Sequence, residues 1–205
     1  MSRPSSRMFL LGRMHSLAGI LPLGLFLFEH LYSNATAMLG REAYDKQVGM
    51  LQTIPFVPVI EVLFIALPLL YHAGFGVYIG FISKNNAFRY SYTRNWLFVM
   101  QRISGLVTLV FILYHLWEFR FANLIFGTPI NFDTVQTQLQ NPAIFAFYVL
   151  GIISTTFHFS NGVWTALITW GITPGARGQR ISSALRYVLF AMLSFVGVGT
   201  LISFV

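Results

Sequence analysis

Five apolar runs, each long enough to cross a bilayer, constrain this chain more than any other feature. A helix needs about 20 apolar residues to traverse the hydrocarbon core. Runs of that kind occupy residues 13–34, 58–82, 96–126, 142–171 and 184–205. In lipid the backbone must satisfy its own hydrogen bonds, which a helix does within one segment. The expected fold class is therefore an all-α integral membrane protein, with residues 1–205 forming one membrane domain, a bundle of five transmembrane helices. Charge content agrees: 9% of residues are charged, against about 25% in a soluble domain. The third and fourth runs are long, so their ends are expected to project or tilt. Pro142 opens the fourth, at a position where proline is tolerated, and Gly171 and Pro174 close it.

Basic residues orient the bundle. Arg3, Arg7 and Arg13 precede the first run; Lys84, Arg89, Arg94 and Arg102 surround the second connection between spans; Arg177, Arg180 and Arg186 surround the fourth. All ten fall on one side, and only Arg41, Lys46 and Arg120 fall on the other. The positive-inside rule then places the N-terminus in the cytoplasm and the C-terminus outside. Trp96 and Trp170 fall at the cytoplasmic boundary, where aromatic side chains gather. The net charge of +7 is spread over short loops between apolar runs, which fits a lipid surface and not nucleic acid. A basic start, an apolar stretch and Ala35-Thr36-Ala37 also resemble a cleavable signal peptide, but the stretch is long for one and is read as a span. Cysteine is absent, which excludes disulfides, cysteine-held iron–sulfur clusters and the covalent attachment of c-type haem.

Histidines carry the functional argument. His30, His72, His115 and His158 fall one per run on the first four runs, and the fifth has none. Ionisable residues inside a span are costly and mark function by default. At 1.5 Å rise per residue, His30 lies roughly 26 Å above Arg13 and His115 roughly 28 Å above Trp96. His72 lies about 18 Å above Lys84, and His158 about 20 Å above Gly171. Two levels result: His30 with His115 toward the outer face, and His72 with His158 nearer the cytoplasm. Two such pairs suit two bis-histidine haems, stacked within the bundle. Packed histidines bonded between helices are the simpler alternative for any one of the four. A zinc or copper site is the alternative metal reading, although zinc gathers its ligands in one tetrahedron. Gly76 and Gly162 each follow a histidine by four residues on the same helix face, which leaves room for a macrocycle or for helix packing.

Several segments together resemble the di-haem cytochrome b membrane anchors of succinate:menaquinone oxidoreductases, of the type found in Bacillus-like bacteria, with fumarate reductase anchors as relatives. They are Arg13-Met14-His15-Ser16-Leu17, Leu70-Tyr71-His72, Lys84-Asn85-Asn86, Arg94-Asn95-Trp96, Gln101-Arg102, Trp117-Glu118, Phe157-His158-Phe159-Ser160-Asn161-Gly162 and Trp170-Gly171-Ile172-Thr173. They run nearly the length of the chain. The resemblance implies that the four histidines are axial ligands of two haems b: His30 and His115 of the outer one, His72 and His158 of the inner one. It implies a flavoprotein subunit and an iron–sulfur subunit on the cytoplasmic face of a bacterial inner membrane. It further implies menaquinone as electron acceptor beyond the outer haem, and it leaves open a higher oligomer of the complex. His15 and Ser16 would lie near the inner haem's propionates, and Arg13, Arg94 and Arg102, at a similar level, could pair with them. Glu61 lies about three turns before His72 on the same face and is the candidate for quinol proton transfer, among outer-side acids that include Glu29, Asp45 and Glu118. A fumarate reductase branch of the family carries glutamate two positions before the fourth ligand; Thr156 stands there instead, which weakens that proton path. The rivals are the haem b anchor of a hydrogenase or formate dehydrogenase, a histidine-containing transporter, and a structural anchor without haem.

Overall fold

The computed structural model describes residues 6–205, and Arg3 lies outside them. Five helical spans run Ser6–Leu39, Val57–Ile82, Thr93–Phe126, Pro142–Thr169 and Ala176–Ile202, and no strand occurs among the described residues. The first span starts earlier than its apolar run, because the helix continues through Arg7 to Ser6 beyond the apolar residues. The fifth starts earlier for the same reason: Arg177, Arg180 and Arg186 sit on its first turns.

Proline and π-turns shape the spans. Pro22 bends the first, since it has no N–H to donate; the bonds Leu21 N–H to Leu17 O and Leu25 N–H to Leu21 O, both 2.9 Å, carry the helix through. In the second span a π-turn, Val62–Ala66, lies just ahead of Pro68. Widening there relieves the clash of the proline ring with the carbonyl four residues earlier. A second π-turn, Leu116–Phe121, directly follows His115 and contains no proline. The fourth span starts at Asn141, whose side chain accepts from the amides of Ala143 and Ile144 with Pro142 in the first turn. Gly127 (φ 70°) and Gly171 (φ 74°) end the third and fourth spans in the left-handed region, where a side chain would be strained.

Polarity in the bundle is inverted relative to a soluble protein. Phe81, Phe195, Leu25 and Leu106 are exposed, whereas Ser104, Thr156, Ser160 and Asn161 are buried. Thr156 and Ser194 hydrogen-bond at 2.7 Å between the fourth and fifth spans, the short polar contact that lipid-embedded helices use. The fourth span is central, packed along both the third and the fifth.

The two ends differ. Away from the N-terminus, two short helices that the apolar pattern did not predict, Arg41–Gln52 and Phe132–Leu139, cover the bundle. Tyr44, Phe132, Leu139 and Phe204 are buried together there. Phe204 meets Tyr44 at 5.1 Å and Phe132 at 4.7 Å between ring centres. The Phe132 amide donates to Asp45 at 2.7 Å, and Arg41 pairs with Asp133. This is the capped end. The opposite, basic end has no such cover among the described residues.

Candidate functional site

The four span histidines form two facing pairs. His30 and His115 have ring centres 5.6 Å apart at an interplanar angle of 86°. His72 and His158 lie 6.1 Å apart at 89°. An imidazole nitrogen binds a first-row metal at about 2 Å, so two imidazoles on opposite sides of one ion hold their ring centres about 6 Å apart. Both pairs are close to that spacing, with the edge-to-face geometry that packed rings also adopt. His15 does not: its ring stacks flat on His72 at 4.1 Å and 7°, which presents faces, not nitrogens, to each other. No group of three or more His, Asp or Glu side chains able to hold a metal ion occurs among the described residues, so the tetrahedral zinc reading has no ligand set here.

The basic-end pair is anchored by hydrogen bonds. His72 Nδ1 lies 3.0 Å from the His15 carbonyl, and His158 Nδ1 lies 3.0 Å from the Gln101 carbonyl. A carbonyl only accepts, so His72 Nδ1 carries the proton and its Nε2 keeps a free lone pair, the tautomer a metal needs, whereas His158 Nδ1 meets both the Gln101 carbonyl and, at 3.2 Å, the Gln101 side-chain amide. Gln101 is held in turn: its Nε2 donates to the His158 carbonyl at 3.0 Å, and its Oε1 accepts from Asn161 at 2.7 Å. Asn161 Oδ1 accepts from the buried Arg186 at 3.2 Å. A polar chain thus runs from the fifth span, through the fourth, to the carrier of His158 on the third.

The capped-end pair has a different setting. Phe26 flanks His30 at 5.2 Å; Phe111, Phe119 and Tyr148 flank His115 at 5.8, 5.3 and 6.1 Å. His115 Nδ1 is buried with no hydrogen-bond partner.

Glycines shape the basic-end pair, though not the two that the spacing singled out. A Cβ at Gly19 would stand 2.4 Å from His72 Cε1, and one at Gly105 would stand 2.7 Å from His158 Cε1. Gly76 instead faces His15 Nε2 at 3.1 Å, and Gly162 faces Gln101 at 3.6 Å. Gly76 thus lies against His15 and Gly162 against Gln101, on the helices that carry His72 and His158.

Among the other sequence candidates, Ser16 accepts from Trp170 Nε1 at 3.3 Å. Arg13 lies over Trp170 at 5.3 Å, and its Nη1 is buried without a partner. Arg102 donates to the Ser83 carbonyl at 3.1 Å and covers Phe98. Arg94 is turned elsewhere: it bonds Gln179 of the fifth span and faces Trp164, which separates it from the His15 and Ser16 group. Glu61 is not a lone acid, since Arg120, on the π-turn after His115, forms an ion pair with it. Glu118 accepts from Gln138, and Glu29 from Ser33. Gln101, Asn161 and Arg186 were not singled out as site residues from the sequence. The signal was present, since an amide three residues after His158 and another amide inside the third run are unusual in a span.

Fold and site together define a multi-pass helical membrane protein that brings together two histidine pairs in series between its ends. Residues 82–199 match the model of the succinate dehydrogenase/fumarate reductase transmembrane subunit family. The succinate dehydrogenase cytochrome b558 subunit of Bacillus subtilis (strain 168) is 46% identical over 200 residues, covering 98% of each chain. The chain belongs to this family and is a membrane subunit of an oxidoreductase complex of the succinate dehydrogenase type. The transporter and the hydrogenase-anchor or formate dehydrogenase-anchor readings are not favoured.

Proposed function

We infer that this chain anchors a flavoprotein and an iron–sulfur subunit at its basic end and conducts electrons across the bilayer to a menaquinone near its capped end. The basic end faces the cytoplasm of a bacterial inner membrane in this reading, as the positive-inside rule requires. The observation that carries it is that the four span histidines meet as two close pairs, with ring centres 5.6 and 6.1 Å apart. His72 with His158, and His30 with His115, each hold one haem b. A haem held by two imidazoles supplies one-electron transfer with no open coordination position.

The chain's own residues do the rest. The carbonyls of His15 and Gln101 fix the ring orientation of His72 and His158. Gly19 and Gly105 leave space for those rings. Arg13, with its buried unpartnered Nη1, is the cation placed to meet a propionate, with Ser16 beside it through Trp170; Arg102 stands further along the same end. At the capped end, Phe111, Phe119 and Tyr148 exclude water from His115. The Glu61–Arg120 pair offers a carboxylate and a guanidinium where quinol protons would be exchanged.

Haem counted by pyridine haemochrome on the detergent-purified protein tests the assignment. Two haems b per chain are expected, and His72→Ala is expected to leave one. Two full haems in that variant would show that His72 is not a ligand. Co-purification of the flavoprotein and iron–sulfur subunits tests the partner reading separately.

A further inference from the structure

All six carboxylates of the chain, Glu29, Glu42, Asp45, Glu61, Glu118 and Asp133, lie toward the capped end, and both ion pairs among the described residues are there. The cations of the basic end therefore have no counter-charge within the chain. Arg186 makes that absence costly. It is 4% exposed, and its partners are neutral: Asn161 at 3.2 Å, Ser183 at 3.4 Å, and the rings of Trp164 and Tyr187 at 4.7 and 4.3 Å. A buried cation without an opposite charge is strongly disfavoured unless an anion meets it.

A cavity of about 590 Å³ opens beside it. Arg94 of the third span and Arg180 and Arg186 of the fifth wall it, with Trp164 of the fourth and the hydroxyl residues Thr93 and Ser183. Trp164 is 6% exposed, and its Nε1–H, a donor, has no acceptor. The wall thus offers three guanidiniums and two hydroxyls, and no carboxylate. Leu97, Ala176 and Tyr187 add apolar surface, and Gln179, which accepts from Arg94, completes the lining; Tyr187 and its neighbour Val188 are exposed on the bundle's outside.

We propose that this groove between the third and fifth spans binds a phosphate-bearing anion, with Arg94, Arg180 and Arg186 as its ligands. Guanidinium forks suit phosphate oxygens, and basic pockets between spans on the cytoplasmic side suit anionic lipid headgroups. The site lies at the far end of the Arg186–Asn161–Gln101 chain, so its occupant helps to fix the residue that carries His158.

Native mass spectrometry of the intact complex, released in mild detergent, reads the occupant by mass. A bound phospholipid is expected, lost in Arg186→Gln and at least tenfold depleted in the double variant Arg94→Gln with Arg180→Gln, whose exposed positions spare the fold. Delipidated complex is then offered vesicles of phosphatidylcholine alone, the same vesicles with phosphatidylglycerol, or inorganic phosphate. Recovery only with phosphatidylglycerol identifies a lipid headgroup as the source, and recovery with inorganic phosphate identifies the free anion. A complex that holds no phosphate-bearing adduct, including one whose groove is filled by a carboxylate of a partner subunit, overturns the proposal. So does an adduct that both variants retain.

Discussion

The two histidine pairs use the same residue type at the same kind of position, yet the protein supports them by opposite means. His72 and His158 are aimed by carbonyls, and a polar chain reaches from His158's carrier to a buried arginine. His30 and His115 sit among aromatic rings, with one ring nitrogen left unpaired. One pair lies toward an end rich in uncompensated cations, and the other toward an end closed by two short helices and balanced by ion pairs. Hydrogen-bonded imidazoles respond to changes in their partners, whereas imidazoles in an apolar box respond to packing and water access. The properties of one pair should therefore be separable by mutation from those of the other.

Gly105→Val gives the largest expected effect. A Cβ there already falls within 2.7 Å of His158, and the two added methyl groups drive the ring aside. The chain should fall from two haems to one, with the absorption of the His30–His115 haem unchanged; equal loss from both pairs would break the comparison. Gln101→Leu keeps the carbonyl that His158 uses but removes the amide that holds it. A haem affinity lower by about 10–100-fold at the His72–His158 pair alone is expected, measured by haem titration into apo-protein. An unchanged affinity would mean that the polar chain is packing and not support. Smallest is Arg41→Ala at the cap, where the Arg41 and Asp133 side chains are 50% and 64% exposed. A pair so exposed contributes at most about 1 kcal/mol, so thermal unfolding should shift little; a large shift, absent in Asp133→Asn, would show that Arg41 closes that end through the Phe132 ring it covers and not through its charge.

Much of the fold was legible in the sequence, because span length and charge asymmetry are properties of each segment by itself. The five runs, a mid-span histidine on each of the first four, and the gathering of cations at one end all read directly. The two short cap helices were not legible, since each is too short and too polar to stand out as a span. They are stable because Tyr44 and Phe132 find Phe204 from the far end of the chain. The π-turn at Val62–Ala66 has a local cause in Pro68, whereas the one after His115 carries no proline to announce it in the sequence.

The site divides in the same way. The cost of an ionisable group in lipid singled out His30, His72, His115 and His158, and helix rise sorted them into the two pairs that meet in the structure. Which glycine faces which ring, that Arg94 turns to the fifth span and Arg13 to Trp170, and that Glu61 is met by Arg120 depend on the rotation of each helix about its axis. Helix rotation is set by how neighbouring spans pack, and no segment encodes it alone. Gln101 and His158, 57 residues apart in the chain, become partners only once the third and fourth spans lie side by side. The sequence by itself determined how many helices cross the membrane, which end carries the charge and which residue on each of four helices is out of place in lipid. The tertiary structure alone decided what each of those residues faces, because lateral contacts between spans form only after every segment is already a helix.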